Sequence, residues 1–174
     1  DFFAQVLEPV GERGALLKQQ NLATSKNLGM NISYPFDVAK WWGVYTNFTL
    51  FYQDFDAFVR TERLNVNATT YNLFVQNNFN LPKGFKAELS GWYNSPSIWG
   101  GTFETERMWS MNIGLKKAVL QGRGQLRVSL SDVFKTQVWY GFSDYDGLRF
   151  EGNGGNDSRR VKVGFTYRLG NNKV

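Results

Sequence analysis

The sequence contains no cysteine and no histidine. Without cysteine there are no disulfides and no thiolate metal sites. Without histidine there is no histidine-based catalytic triad, no histidine-ligated zinc and little scope for imidazole acid–base catalysis. We therefore predict that the chain is not an enzyme and that it has no catalytic, cofactor-binding or metal-ligating residues.

Long apolar runs are also missing, so the sequence predicts no transmembrane helix, which would need about 18 or more consecutive apolar residues. No signal peptide is visible, and the chain starts at Asp1 rather than at a methionine. Phe2, Phe3, Val6 and Leu7 already have the pattern of the middle of a strand. We expect the chain to be a piece of a longer protein.

The formal charge is +5, but lysines and arginines are scattered, and the densest clusters are Lys116-Lys117 and Arg159-Arg160-Lys162. Nucleic-acid binding favours a continuous basic stripe. Isolated cations at strand ends are more typical of contact with anionic lipid headgroups. The charge pattern therefore predicts a lipid partner and no nucleic-acid partner.

Aromatic residues make up 17% of the chain, although its mean hydropathy is negative. Such a sequence must separate its apolar and polar residues onto different faces, which β-strands do with a period of two. In the last predicted strand one face carries Val161, Val163, Phe165, Tyr167 and Leu169, and the other carries Arg160, Lys162, Gly164, Thr166 and Arg168.

The same alternation predicts about eight antiparallel strands, near residues 1–8, 15–36, 42–58, 68–81, 85–97, 106–118, 125–140 and 158–169. Short connectors (37–41, 82–84 and 119–124) alternate with long ones (9–14, 59–67, 98–105 and 141–157). This asymmetry is typical of outer-membrane barrels, whose periplasmic turns are tight and whose outer loops are long. Two irregularities are Phe74, which interrupts a polar row, and Asp132-Val133-Phe134, where a phase shift predicts a bulge.

A soluble sandwich would alternate as well, but two features favour lipid. The polar face is rich in Asn, Ser, Thr, Gln and Gly, as an aqueous interior requires. Aromatic residues also gather beside the connectors, as they do at headgroup level. We predict that the membrane-interface aromatics are Trp41, Trp42, Phe85 and Trp139.

Three aromatic residues on the long-connector side, Trp99, Tyr140 and Tyr145, are candidates for stacking against a substrate. Membership of the headgroup-level aromatic belt is the alternative. Between Asp144 and Asp157, carboxylates in a glycine-rich loop could hold calcium, although a solvated outer loop also explains this composition.

Several segments carry a family resemblance: Leu81-Pro82-Lys83-Gly84-Phe85 through Tyr93-Asn94-Ser95-Pro96, Asn27-Leu28-Gly29 followed by Lys40-Trp41-Trp42, Ser131 to Thr136, and Ser158 to Asn171. In order and over nearly the whole chain, they resemble the C-terminal barrel region of TonB-dependent receptors of Bacteroidota. The resemblance implies a barrel of roughly 22 strands with an N-terminal plug, which imports a nutrient by contact with TonB.

We therefore predict an all-β fold: an antiparallel, up-and-down transmembrane β-barrel domain over residues 1–174, forming the C-terminal part of a larger barrel. The resemblance further implies the bacterial outer membrane, with its lipid and lipopolysaccharide, and the barrel-assembly machinery, which would recognise Phe165, Tyr167 and Leu169 of the final strand. TonB would be contacted only through the plug, which these residues do not include. A small self-contained outer-membrane barrel with a structural or adhesive role and a soluble sandwich or lipocalin-like binder are the alternatives.

Overall fold

The computed structural model describes residues 2–11, 14–59, 62–145 and 148–169. In these ranges the chain forms twelve strands and two single-turn 3₁₀ segments. No helix in the part of the chain that the structure describes is long and apolar enough to span a membrane. The all-β class predicted from the alternation is confirmed.

Eight strands form one antiparallel sheet in the order β1-β2-β3-β4-β5-β8-β9-β12. Their bounds are β1 Phe2–Val10, β2 Gly14–Ala39, β3 Trp42–Val59, β4 Glu62–Leu81, β5 Phe85–Asn94, β8 Met108–Val119, β9 Gly124–Ser131 and β12 Arg160–Tyr167. The sheet is open, because among the described residues β1 pairs only with β2 and β12 only with β9.

A second, four-stranded sheet has the order β11-β10-β7-β6. Its strands are β6 Ser97–Trp99, β7 Phe103–Thr105, β10 Val138–Tyr145 and β11 Leu148–Gly155. It lies at the end of the main sheet opposite the short turns, because its strands are inserted in the chain between β5 and β8 and between β9 and β12. We call it the outer sheet.

Each of the eight predicted strands corresponds to a strand of the main sheet: 1–8, 15–36, 42–58, 68–81, 85–97, 106–118, 125–140 and 158–169. The prediction that the long connectors are loops was wrong. Residues 98–105 and 141–157 contain much of the outer sheet, and β3 and β4 extend to Val59 and from Glu62. The predicted strand 125–140 is in fact β9 and β10. β6 and β7 escaped prediction because three residues are too few to show a period of two, and β11, with sequence LRFEGNGG, alternates only from Leu148 to Glu151 before its glycines.

Two of the short turns are built alike. Lys83 and Gly84 have φ of 59° and 76° in the turn after β4, and Leu120, Gln121 and Gly122 have φ of 53°, 54° and 88° in the turn after β8. Glycine takes this left-handed conformation without steric cost. Tight turns at this end hold neighbouring strands in a continuous register.

That register keeps one side of the sheet apolar from strand to strand. One row across the sheet joins Ile32, Phe48, Leu73, Tyr93 and Trp109 as successive partners. The row beside it joins Asn31 with Thr49, Asn72 and Asn94. Because a slip by one residue would exchange the two faces, the pattern fixes the register.

The phase shift predicted as a bulge at residues 132–134 lies directly after β9, which ends at Ser131, and the Val133 backbone N–H still donates to the Met111 carbonyl oxygen of β8 at 2.9 Å. Asp132 and Lys135 have φ of 47° and 57°. Aspartate tolerates this conformation better than most residues. The phase shift therefore marks the crossing from the main sheet to the outer sheet.

Two of the four buried apolar side chains among the described residues, Ile98 and Phe103, lie in the outer sheet. Phe103 is buried, and its ring stacks on that of Trp139 with centroids 5.4 Å apart and planes 11° apart. Phe150 completes this group, with its ring centroid 6.2 Å from that of Phe103. Gly141 is also buried and gives the Phe103 ring its space: a Cβ on Gly141 would lie 2.3 Å from Phe103 Cε1 and 2.7 Å from the Glu104 carbonyl oxygen.

Replacing Gly141 with alanine is expected to destabilise the outer sheet by about 1–3 kcal/mol, because the Phe103 ring must leave its stacked position. The loss would appear as faster amide exchange in β7 and β10. Gly164→Ala is the matched control, since a Cβ at Gly164 would meet no atom within 4 Å. Equal exchange rates in Gly141→Ala and the unaltered chain would contradict the predicted packing.

Candidate functional site

The apolar side of the main sheet is exposed, and no second layer covers it in the described residues. Leu28 is 76% exposed, Val161 68% and Val163 74%. Other exposed members are Met30, Ile32, Tyr34, Phe36, Val38, Ile113, Leu115, Leu126, Val128 and Phe165. Monomeric proteins in water rarely expose a contiguous apolar patch of more than a few hundred Å², so this face requires an apolar environment.

The opposite face of β2 and β3 is a hydrogen-bonded surface of amides and hydroxyls. Asn31 Nδ2 donates to Thr49 Oγ1 and, at 3.3 Å, to Asn47 Oδ1. Asn47 Nδ2 donates in turn to Asn31 Oδ1 at 3.1 Å and to Ser33 Oγ at 2.7 Å. These groups remain exposed and can also bond to water, as the wall of an aqueous space must.

Phe74, the predicted irregularity, lies on this polar face beside another aromatic residue. Its ring centroid is 6.1 Å from that of Tyr45, and its cross-strand partner is Trp92. Phe74 thus belongs to a small aromatic island within the polar face rather than to a register error.

Aromatic residues gather at the turn between β2 and β3. The ring centroids of Trp41, Trp42 and Phe79 lie 5.7–6.1 Å from one another. Trp42 Nε1 donates a hydrogen bond to Asn77 Oδ1 at 3.0 Å. An aromatic ring whose polar N–H group is hydrogen-bonded suits a boundary between apolar and aqueous surroundings. The structure brings together two of the predicted interface residues here.

Phe85, the third predicted interface residue, begins β5 at the neighbouring short turn. Lys117 Nζ lies 3.8 Å from the centroid of its ring, and the same ammonium donates to the Lys83 carbonyl oxygen. A lysine with its stem along the apolar face and its charge at the turn is arranged to reach headgroup level. Trp139, the fourth, lies apart from this group in the outer sheet, stacked on Phe103.

The three substrate-contact candidates are all in the outer sheet but differ in environment. Trp99 ends β6 and is 57% exposed, so its ring is available for stacking. Tyr140 in β10 is half-buried, and its hydroxyl is hydrogen-bonded to Glu151. Tyr145 ends β10, and its side chain lies outside the described residues.

The predicted calcium loop is instead largely the hairpin of β10 and β11, and residues 146–147 lie outside the described part. Its carboxylates face Arg149, whose guanidinium is 2.7 Å from Glu151 Oε1 and 3.7 Å from Asp144 Oδ2. Hydrogen bonds from Arg149 and Tyr140 lower the pKa of Glu151. In the part of the chain that the structure describes, no three carboxylates come close enough to hold a metal ion.

Two of the predicted assembly residues, Phe165 and Tyr167, lie in β12, and both project from the apolar side. Leu169 lies two residues beyond the last residue of β12 and is 90% exposed. The other edge of β12 has no strand partner among the described residues.

Asp132, which the sequence did not single out as a site, has the most enclosed side chain of any charged residue described, with no exposed surface. Oδ1 accepts hydrogen bonds from Ser110 Oγ at 3.2 Å, from the Thr136 backbone N–H at 3.0 Å and from the Thr136 hydroxyl at 3.2 Å. Oδ2 accepts from the Gln137 backbone N–H at 3.2 Å and from the Ser158 hydroxyl.

These bonds join three separate segments of the chain. Ser110 lies in β8, Thr136 in the crossing to the outer sheet, and Ser158 in the return from it to β12. The Asp132 backbone N–H also donates to Asn112 Oδ1 at 2.9 Å. Asp132 is therefore one of the points where the outer sheet is attached to the main sheet. A signal for it does exist, since aspartates often bond to backbone N–H groups a few residues further on.

The Asp132 carboxyl lies just beyond the end of β9, and its pKa is set by opposing effects. Burial alone would raise the pKa, but the hydrogen bonds from Ser158, Thr136 and Gln137 outweigh burial and lower it to about 2. A carboxylate that accepts several hydrogen bonds in the folded state is stabilised in its charged form.

The free energy of unfolding is expected to depend on this group at acid pH. Because the folded pKa lies below the unfolded value of 3.8, the contribution of Asp132, about 2 kcal/mol, is complete above about pH 5 and disappears as the pH falls through about 2. The measurement is the difference in unfolding free energy between the unaltered chain and Asp132→Asn at pH 5 and at pH 2. A difference that stays constant between the two pH values would contradict the lowered pKa.

Comparison with known proteins adds one finding. A family model described as "Outer membrane protein beta-barrel family" matches residues 3–167. Neither the curated proteins nor the solved structures contain a significant match to the chain. The matched range includes nearly all of the main sheet and the whole outer sheet, and membership places the protein in the bacterial outer membrane. The alternating strands of the main sheet, with one apolar face and one polar face, agree with this location. The chain belongs to the outer membrane protein beta-barrel family.

Proposed function

We propose that this chain forms the C-terminal part of the barrel of a TonB-dependent receptor that imports a nutrient across the outer membrane. The parent protein would bind the nutrient on its outer side and release it inward when TonB pulls on a plug in the barrel. The resemblance of the short-turn and strand segments to such receptors supports this assignment.

The observation that carries the proposal is the open sheet. Eight strands lie side by side, yet β1 and β12 each have one strand partner in the described part of the chain. In the hydrocarbon of a bilayer every backbone N–H and C=O group must pair within protein, so neither edge can face lipid. Further strands that complete the ring satisfy both edges and enclose a wide interior.

The open form of the polar face also supports a large barrel over a small one. An eight-stranded barrel has an interior filled by side chains. Here the polar face is an open wall with a cavity of about 490 Å³ between Glu88, Arg127 and Lys162. A wall of this kind suits a large interior that holds solutes or a plug.

The outer sheet supplies the proposed nutrient contacts. Trp99, Tyr140 and Tyr145 lie on strands of this sheet, on the side opposite the short turns. Lipid and lipopolysaccharide are the proposed partners of the apolar face. The barrel-assembly machinery is the proposed partner of β12, through Phe165, Tyr167 and Leu169.

Uptake in whole cells tests the proposal. A strain that lacks the parent protein is compared with the complemented strain for accumulation of labelled ferric siderophores, oligosaccharides and peptides, with and without a protonophore. We expect one class to depend on both the protein and the proton-motive force. Uptake that needs the protein but survives the protonophore would instead indicate a passive pore and contradict TonB coupling, as would unchanged uptake of every class.

The same assay tests the outer-sheet contacts. Trp99→Ala is expected to raise the half-saturating nutrient concentration about tenfold, because loss of a stacking platform removes about 1–3 kcal/mol of binding. Trp41→Ala is the matched control, since Trp41 is similarly exposed but lies at a short turn, at the end of the main sheet opposite the outer sheet. Equal effects of the two variants would contradict a nutrient contact at Trp99.

A further inference from the structure

Charge is distributed unevenly over the polar face. Across residues 28–39, 42–52 and 70–81 of β2, β3 and β4, the sequence has one charged residue, Asp37. Strands β5, β8, β9 and β12 carry on their polar face five cations and one carboxylate, namely Lys86, Lys116, Arg127, Arg160, Lys162 and Glu88. The polar face therefore has a neutral half and a cationic half.

Three of the cations occupy one row. Lys86 is the cross-strand partner of Lys116, and Lys116 is the partner of Arg127. Directly opposite residues have Cβ atoms about 5 Å apart, where like charges repel and destabilise the sheet. Glu88 offsets part of this repulsion through its ion pair with Lys116, at 3.9 Å. The repulsion that remains between Lys86, Lys116 and Arg127 does not stabilise the sheet.

Glycines keep the surface between these cations clear. Gly164 is the partner of Arg127, and Gly114 lies between Glu88 and Ser129 in the next row. A Cβ at Gly164 would meet no atom within 4 Å, and one at Gly114 would meet nothing closer than 3.8 Å. Both positions therefore have room for a side chain that the sequence does not supply.

The result is a recess with charged walls. The cavity of about 490 Å³ is lined by Arg127, Lys162 and Glu88 with both glycines. A second cavity of about 290 Å³ shares Arg127, Glu88 and Gly114 with it and adds Lys86 and Lys116. Ser129 and Asn112 contribute neutral hydrogen-bonding groups to the first cavity.

We infer that this recess, which we call the cationic recess, binds an anionic solute through a phosphate or carboxylate group. Arginine offers paired N–H donors that match such groups, and lysine adds charge without fixed geometry. The bound anion would also relieve the repulsion along the row of Lys86, Lys116 and Arg127. This inference goes beyond nutrient import, since the binding needs neither TonB nor an energy source.

Binding of inorganic phosphate to the full chain, folded in a non-ionic detergent, tests the inference. Thermal unfolding and phosphorus NMR line broadening are followed during titration with phosphate, and sodium chloride at equal ionic strength is the reference. We expect phosphate, but not chloride, to raise the unfolding temperature. Arg127→Gln with Lys162→Gln is expected to weaken binding by at least about tenfold, because charge-assisted hydrogen bonds are lost.

Two further variants separate a recess from general electrostatic attraction. Gly164→Val keeps every charge but fills the floor of the recess, and it is expected to abolish the phosphate effect while the chain still folds. Arg107→Gln removes an exposed cation between β7 and β8 and is expected to leave binding unchanged.

Stability without phosphate gives an independent readout. The double glutamine variant is expected to unfold at a higher temperature than the unaltered chain, since it removes like-charge repulsion. Equal phosphate affinity in the unaltered chain, the double variant and Gly164→Val would overturn the inference. An equal response to chloride would do so as well.

Discussion

Asp132→Ala is expected to lower the free energy of unfolding by about 3–5 kcal/mol, the largest effect of any single substitution considered for this chain. The carboxylate has no exposed surface and accepts five hydrogen bonds from four residues: Ser110, Thr136, Gln137 and Ser158. Removing it leaves donors on three segments without an acceptor. A buried donor without a partner costs about 1–3 kcal/mol, partly recovered where water enters.

Denaturation of the lipid-folded protein, followed by tryptophan fluorescence, gives this free energy directly. Hydrogen exchange should show where the loss occurs, with β10 and β11 exposed while β2, β3 and β4 keep their protection. Asp157→Ala is the matched control, because Asp157 is exposed and is the neighbour of Ser158. A cost below about 1 kcal/mol for Asp132→Ala, or equal costs for the two variants, would contradict the fastening role of Asp132.

Ile32→Arg is expected to destabilise the membrane-inserted protein by about 2–4 kcal/mol, because it places a charge on the lipid face near the middle of the bilayer. Ile32 is 53% exposed in the chain alone and lies on the apolar side of β2, seven residues before Ala39. An arginine there must be dehydrated or must reach a headgroup from mid-bilayer depth.

Ser33→Arg, one residue further along β2, is the control. Its side chain is on the polar face, where it accepts a hydrogen bond from Asn47, which also donates to Asn31. The arginine would stay in water, so the expected cost is below about 1 kcal/mol. Reversible folding into lipid vesicles, with urea as denaturant, measures both variants. Equal costs for neighbouring positions would contradict the assignment of faces.

The main sheet was predictable because its environment imposes a simple rule. A strand with lipid on one side and water on the other must alternate, and the series Val161, Val163, Phe165 and Tyr167 does so without a break. The short turns were predictable from their positions between such strands. The family match confirms the outer membrane, which the same alternation predicted together with the resemblance.

The outer sheet could not be predicted in the same way. Three-residue strands such as β6 and β7 are too short to show a period of two, and β10 and β11 pair from Val138 and Gly155 to Tyr145 and Leu148 in a stretch rich in glycine. Trp139, predicted at the membrane interface from its place beside a connector, also stacks on Phe103, a contact that the sequence did not indicate.

Asp132 eluded prediction for a related reason. Two of its partners, Ser110 and Ser158, lie 22 residues before it and 26 residues after it. Local sequence indicated a break in the strand phase at this point, but only the folded chain shows which segments meet there. The cationic recess has the same character, because it joins cations of β5 and β12 to those of the β8–β9 hairpin.

The most direct test of the central claim is cysteine scanning of β8, since the chain has no native cysteine. Single cysteines are placed at Met111, Ile113 and Leu115 on the apolar side and at Asn112, Gly114 and Lys116 on the polar side. In membranes made permeable on both sides, a water-soluble maleimide should label the polar-side set alone. A lipid-phase quencher should reach a probe on the apolar-side set alone. Apolar-side cysteines that neither reagent reaches, or labelling without a period of two, would contradict the account.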